Sequence, residues 1–508
     1  MPIVRCTIRV DAMLNGVDWT SLRSDLSAAE PLSWRRGMGG GGPLDNVART
    51  GVCEFGLKNW ADSAGSRLQG WYSPNHANVR TGWTFDIPIR VVATYSATDY
   101  TLWRGRLRTI APIPGQYGAQ RVRCVAHDFM GDLSETEVNV AIQIDQTEVQ
   151  CLQAIVAALP TDAAPPATSY DSALETFPYA LGNLASGAQA ITGVVGIIDS
   201  CQGRAYVTKD GTFTYTNRHT GSTGASDFTF TEAMLDREDG IAVPSDMLSV
   251  YDDVTGVAHP SSVSAAIVLC GITSAVYVGP GDTVEPWLDY KDANNENRLI
   301  AGKNYTATAE NTDYDARAAA DGSGADLSAN LTVTVDAFAA KAKFTVTNNG
   351  AVGAYLVNGS GTPLLQLRGD GLLDNQPERR RSGTGKRPLT IDLPYQEDGL
   401  FAADVASFVR SRYEDLADQI NSVKFDPQRS DALMLEALTV EIGDVKTVSE
   451  TMTGLSALDF FVQGIEMECT KGDYLSVRYI AAPATPFRFW QLGTAGASEI
   501  GESTVLAF

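Results

Sequence analysis

The sequence predicts a mainly β protein with some α/β character, built from several domains: two barrel-like β domains flanking an α/β region and an inserted β-sandwich. Three observations predict it. At 508 residues the chain is too long for one core, so about three to five domains are expected. Its 47 Gly and 22 Pro are spread throughout, the punctuation of many short strands joined by turns. A hydrophobic content of 44% and a mean hydropathy of -0.10 are ordinary for a globular chain that buries its own apolar surface.

Residues 1–133 alternate short β-type runs (VRCTIRV, VCEFGLKNW, PIRVVATY, TLWRGRLRTI, QRVRCVAHDF) with turn clusters that include Gly39–Gly42, which reads as an N-terminal β-barrel or sandwich. In 134–250 helical spacing enters. Val149, Leu152, Ile155, Val156 and Leu159 share a face of Thr147–Leu159, and Pro160 ends it. The apolar stretch Ala190–Cys201 then precedes GRAYVTKDGTFTYTNR, whose Asp210-Gly211 pair signals a tight hairpin turn; this is the α/β domain.

Residues 251–374 return to strands (SAAIVLCGI, SAVYVG, LTVTVDAFAAKAKFTVTNNG, GAYLVNG, LLQLRG) with Asn-Gly turns at 349–350 and 358–359, the pattern of an inserted β-sandwich. Residues 375–508 open with a basic, turn-rich run, Glu378–Arg387, and a strand at Leu389–Leu393. The clearest helix follows at Phe401–Ile420, with Phe401, Val405, Phe408, Tyr413, Leu416 and Ile420 on one face. MLEALTVEI, DFFVQGIEMEC and YLSVRYIAA are expected strands of this C-terminal β domain. The tail from Phe487 to Phe508 reads as extended and too apolar to hang in solvent, so it is expected to dock on its own chain or a neighbour.

Charge and cysteine usage exclude several functions. Lys+Arg of 39 against Asp+Glu of 61 gives a net charge of -22, the wrong sign for wrapping nucleic acid. The balance is uneven: residues 1–130 hold 15 basic and 10 acidic residues, leaving -27 for the remainder. Seven cysteines (Cys6, Cys53, Cys124, Cys151, Cys201, Cys270, Cys469) stand singly with no CxxC, which fits reduced, packed thiols and neither a disulfide framework nor a zinc site. The opening MPIVRCTIRVDAM alternates like a strand and lacks the apolar run of a signal peptide, and stretches such as Ala265–Leu269 are too short to span a bilayer. Neither export nor membrane insertion is expected.

No catalytic constellation emerges, and no metal or cofactor is expected. The four histidines, His76, His127, His219 and His259, fall in different segments; His127 beside Asp128 reads as the end of a barrel strand rather than an oriented base. GxSxG, HExxH and Walker motifs are absent, and the glycines of Met38–Pro43 lack the GK[ST] ending, so they read as a flexible loop. Asp252-Asp253, or Asp45 with Glu54, could form a carboxylate dyad, but 61 acids produce such pairs by chance. Arg379, Arg380, Arg381, Lys386 and Arg387 read as a solvated turn or an interface patch rather than a phosphate site. Trp60, Trp71, Tyr72 and Trp83 read as core or subunit interface rather than a sugar platform.

Four blocks carry a family resemblance. VCEFGLKNWADSAGSRLQGWYSPNHAN with IPIRVVATYSATDYTLWRGRLRTI is similar to the first domain of baseplate-hub type minor tail proteins of bacteriophages. ALGNLASGAQAITGVVGIIDSCQGRAYVTKDGTFTYTNRH resembles their second region, a helix before a hairpin. TGKRPLTIDLPYQED with the following helix, and the tail PFRFWQLGTAGASEIGESTVLAF, resemble their closing domain. The resemblance covers about two thirds of the chain, in the family's order. It implies a structural role: a homotrimer that caps the tail tube, converts six-fold to three-fold symmetry and lines the DNA exit channel. Tail tube, distal tail and fibre proteins are the implied partners, with DNA in transient passage, in a virion assembled in the host cytoplasm. No long C-terminal extension of the kind that carries a peptidoglycan-cleaving or receptor-binding module is expected. A cell-wall-degrading enzyme and a receptor-binding adhesin are the alternatives, marked respectively by an acid or Cys-His pair in a cleft and by distal surface aromatics.

Overall fold

The computed structural model describes residues 3–484 except 64, 117–118, 183, 185–187, 221–225, 244–249, 292–298, 415–419 and 471–472, and beyond them the two-residue strands Arg488–Phe489 and Thr504–Val505. The chain is mainly β and multidomain, with several sheets and few helices.

A 13-stranded sheet organises the molecule. From one edge it runs through Thr20–Ser21, Thr7–Ala12, Pro88–Tyr95, Thr98–Ile113, Arg121–His127, Val52–Lys58 and Leu32–Gly37. It continues through Leu455–Thr470, Tyr474–Pro483 and Ser422–Phe425 to Ile241–Ala242, while Val445–Glu450 and Phe228–Thr231 branch from Leu455–Thr470. The two barrel-like units read at the ends of the chain are therefore halves of one open sheet. Their junction is the antiparallel pairing of Leu32–Gly37 with Leu455–Thr470, where Trp34 faces Met467 and Arg35 faces Glu466. Pairing between opposite ends of a chain leaves no local signature in the sequence, which is why each end reads as a unit of its own.

The sheet coils without a closing ladder among the described residues. Arg23 reaches from the Ile8 carbonyl, on the part of Thr7–Ala12 that Thr20–Ser21 leaves uncovered, to Asp473, 2.7 Å away, and the Val4 amide donates to the Gln428 carbonyl at 3.0 Å. These contacts tie the free edge to the far half and occupy backbone groups that would otherwise template pairing with another strand.

One large core spans the body, from Cys6 to Ala481, and takes in residues of the helices Phe129–Glu135, Glu148–Ala157, Ala190–Cys201 and Asp431–Thr439. Glu148–Ala157 starts at a capping box: Thr147 accepts from the Gln150 amide, and the Gln150 side chain accepts from the Thr147 amide. Arg204–Val207 and Thr212–Thr216 form the hairpin expected at Asp210-Gly211, with Gly211 at φ +85° supplying the left-handed turn conformation that glycine adopts without strain.

Four local expectations differ from the structure. MLEALTVEI is not a strand: Asp431–Thr439 is a helix capped by Ser430, burying Leu433, Met434, Ala437 and Leu438. The basic run is not a loop either, because Glu378–Gly383 is a strand antiparallel to Asp253–Ala258, which pairs on its other side with Pro388–Leu393. Against this three-stranded sheet packs the helix Gly399–Tyr413, shorter than expected; of the apolar face read for it, Leu416 lies outside the described residues. Finally, the glycines of Met38–Pro43 pass close to Tyr474–Pro483. Tyr413 donates to the Gly41 carbonyl at 2.9 Å, and a Cβ on Gly41 would strike the Ala481 carbonyl. Glycine is required there for close backbone approach rather than for looseness.

The strands of 261–374 build a separate core around Leu269, Val278, Phe344, Val346, Leu356 and Leu367. Its ends meet at a stem, where the Asn375 amide donates to the Pro260 carbonyl at 3.1 Å.

Candidate functional site

The residues singled out in the sequence as catalytic candidates lie in separate surroundings, each with its own contacts. Asp128 caps the helix Phe129–Glu135, accepting from the Gly51 and Met130 amides at 2.8 and 3.1 Å, and burial pushes its carboxyl up to about 7. The His127 Nδ1 is 3.7 Å from Glu135. His76 accepts from the Asn78 amide at 3.1 Å, and the His219 amide is held by Asn217 at 3.0 Å. His259 lies 2.6 Å from Asp392, whose hydrogen bond raises its pKa against the effect of burial.

The candidate dyads are dissolved by other partners. Asp253 is clamped by Arg381 at 2.5 and 2.6 Å, and Asp252 accepts from the Arg387 amide at 2.8 Å; both carboxyls are held below their usual range by these hydrogen bonds. Asp45 accepts from the Gly42 amide, while Glu54 pairs with Arg123 at 2.6 Å. Arg380 pairs with Glu378 at 2.9 Å. Of the aromatics, Tyr72 and Trp83 are buried in an edge-to-face pair, and Trp60 and Trp71 are half-buried, Trp60 beneath Arg67. The seven thiols are all free and buried, and among the described residues no group of three or more His, Cys, Asp or Glu could hold a metal ion. No helix among them is long and apolar enough to cross a membrane. Most of the tail from Phe487 onward lies outside the described residues.

What the structure does assemble is a polar sheet face at the junction of the two halves. Strand alternation places Leu32, Trp34 and Met467 in the core and turns Ser33, Arg35, Glu466 and Glu468 toward water. Register then lays out two rows: Lys424, Arg478, Glu466, Arg35 and Val52 in one, and Ser476, Glu468, Ser33 and Glu54 in the next. These residues line a shallow groove of about 480 Å³. Asp239 bridges Lys424 and Arg478 at 2.6 and 3.1 Å, and Arg123 closes on Glu54. The basic groups Lys424, Arg478, Arg35 and Arg123 thus stand against the acids Asp239, Glu466, Glu468 and Glu54, leaving the face near neutral. Exposed pairs of this kind add little stability; their effect is to cancel the surface potential. Sequence reading missed this face because it exists only once distant strands are in register.

Each half of the sheet also contains one unusually long strand, Thr98–Ile113 and Leu455–Thr470, both 16 residues. The first half of Thr98–Ile113 pairs with Pro88–Tyr95 and its second half with Arg121–His127, with a register shift at Leu107/Thr109. Leu455–Thr470 likewise pairs first with Val445–Glu450 and then with Leu32–Gly37, with a shift against Tyr474–Pro483 at Val462/Gly464. Such bulges bend a long strand so that it can serve two neighbours.

No family model matches the chain, and no curated protein matches it in sequence. Among solved structures it is similar to the 43 kDa tail protein of prophage MuSo2 from Shewanella oneidensis, at 10% identity and a TM-score of 0.46, over 94% of this chain and 99% of that one. A tail protein from Neisseria meningitidis MC58 gives 10% identity and a TM-score of 0.44, over 94% and 96%. The E. coli c3393 protein, a type VI secretion system component, gives 7% identity and a TM-score of 0.33, over 89% and 73%.

Proposed function

We propose that this chain is a structural hub of a bacteriophage tail tip, which caps the tail tube as a homotrimer, adapts six-fold to three-fold symmetry and lines the channel through which DNA leaves. The observation that carries this reading is the pair of 16-residue bulged strands, one in each half of a single sheet. A trimer can meet a hexameric tube only if each chain offers two similar contact units, and one long bulged strand in each half supports reading the two halves as such a pair. They belong side by side around one ring, next to tail-tube, distal tail and fibre proteins.

The near-neutral sheet face suits the channel wall. Each phosphate neutralised by a fixed cation releases counterions and strengthens binding, so a basic lumen would hold DNA that must slide. On this reading the protein works without catalysis or cofactor, in a virion assembled in the host cytoplasm.

Purified protein mixed with tail tubes should cap one end of each tube in negative-stain images, and a reconstruction of the capped end should place the two halves of each chain at one level around a pseudo-six-fold axis. Halves at different levels along the tail would sink the adaptor reading. Zymography on host cell walls should be blank; a cleared band abolished by changing one Asp or Glu would favour an enzyme instead.

A further inference from the structure

The basic first domain carries a cation that no carboxylate matches. Pairing of Pro88–Tyr95 with Thr98–Ile113 sets Arg104 opposite Arg90, and both guanidiniums lie over the Trp19 ring, 5.5 and 4.5 Å from its centroid. Arg90 is neutralised by Asp11 at 3.0 Å. Arg104 has no carboxylate within 4 Å and no hydrogen-bond acceptor among the described residues, yet its nitrogens still reach solvent. Burial, then Arg90 and Arg106, disfavour its charge, with Asp210 acting the other way. Arg104 lines a cavity of about 210 Å³ with Arg106, Phe129, Asp132, Pro166 and Gly211. The charge of Arg106 is already met there by Asp132 at 3.5 Å.

We propose that the cavity at Arg104 is a carboxylate-binding subsite, filled in the assembled particle by an Asp or Glu side chain of a second copy of this chain. The inference rests on the ring assembly proposed above. A ring at cation–π distance supports the Arg104 guanidinium without using its N–H groups, which stay available for the in-plane, bidentate bonding that matches a carboxylate. Asp132 and Asp210 nearby weigh against the doubly charged phosphate and less against a single negative charge. The second copy is indicated by the charge division of the chain itself, +5 in residues 1–130 and -27 in the rest. In a head-to-tail ring each copy sets one surface against a different surface of the next, so the basic first domain meets carboxylates of its neighbour.

Sedimentation velocity on the full chain over a range of concentrations tests this. Arg104→Glu should weaken self-association at least about tenfold, the loss of roughly one charge-assisted bidentate contact. Arg104→Gln should weaken it less, and Arg104→Lys least, since an ammonium keeps the charge but not the fork. Lys343→Glu, a charge reversal in the inserted strands far from this cavity, should associate as the unaltered chain does. Melting curves matched to the unaltered chain exclude misfolding, and Arg104→Gln remains informative if the charge reversal does not fold. The inference is overturned if Arg104→Gln and Arg104→Glu associate as tightly as the unaltered chain, or if the unaltered chain stays monomeric throughout. Retention of short duplex DNA that is lost in Arg104→Glu, with self-association intact, would assign the pocket to phosphate and equally overturn it. Variants that cap tail tubes and associate normally would remove only this subsite; an unaltered chain that neither associates nor caps tubes would remove the hub reading as well.

Discussion

The body and the inserted strands of 261–374 solve the same problem, burying the packed faces of β-sheets, in opposite ways. In the body, residues from Cys6 to Ala481 contribute to one core, and neither end of the chain has a complete sheet without the other. The insert closes a core of its own and enters and leaves through a single stem. Beyond the stem, the described ties to the body include the Ala339 amide donating to Val140 at 3.1 Å and Lys303 donating to Tyr179 at 2.9 Å. Long-range weaving makes the body one cooperative unit, and local closure lets the insert vary without cost to it.

Equal deletions in the two regions should therefore have unequal reach. Phe230 is fully buried against Phe425, Phe460 and Tyr479, and Phe344 is fully buried in the insert. Phe230→Ala should cost about 3–5 kcal/mol and lower the main calorimetric transition, carrying both ends of the chain with it. Phe344→Ala removes the same atoms, yet should lower only a separate, smaller transition and leave the body's melting in place. A single transition that shifts alike in both variants would break the distinction.

The next contrast is electrostatic. Asp199, on the body helix Ala190–Cys201, is pushed up from 3.8 to about 7 by burial first and then by Asp392. Because its folded pKa is raised, the native state keeps a proton that the unfolded chain has released, so stability falls as pH rises from about 4 to about 7 and the cost persists above that. Asp199→Asn should therefore stabilise the body at pH 8 by on the order of 1–3 kcal/mol and do nothing below about pH 4. Equal effects at both pH values in chemical denaturation would exclude the mechanism.

Legibility in the sequence follows the same division between local and distant causes. Ala190–Cys201, the helix read over Thr147–Leu159 and the Asp210-Gly211 turn are decided by neighbours within a few positions, and each stands where the pattern puts it. Asp431–Thr439 carried a readable signal that strand alternation obscured: Ser430 as a cap, then the strong helix formers Leu, Met, Glu and Ala. Arg35 opposite Glu466 could not be read at all, because a register between the two ends of the chain depends on the whole sheet. The polar face and the cavity at Arg104 share that origin, which is why, of the candidates chosen by type alone, the histidines and the paired acids, only Glu54 lines either.

The smallest expected effect sits where the two regions meet. His259 lies at the stem, 2.6 Å from Asp392 and 4.0 Å from Asp374, so one imidazole faces a carboxylate of the three-stranded sheet and another at the end of the insert's last strand. The Asp392 hydrogen bond and the charges of Asp392 and Asp374 raise its pKa, opposed by burial and by Arg379. A raised histidine pKa contributes stability that is fully present below the unfolded value near 6.5 and is lost as pH rises through the folded value. Asp392 is 64% exposed, so solvent screening should hold the contribution below about 1 kcal/mol. The consequence is local: cleavage at the stem by limited proteolysis should speed up between pH 6 and pH 8.5, and His259→Gln should cleave at the faster rate at both. If the unaltered stem is cut at one rate across that range while a histidine resonance titrates normally, the stem is held by its backbone contact alone and the imidazole is a bystander.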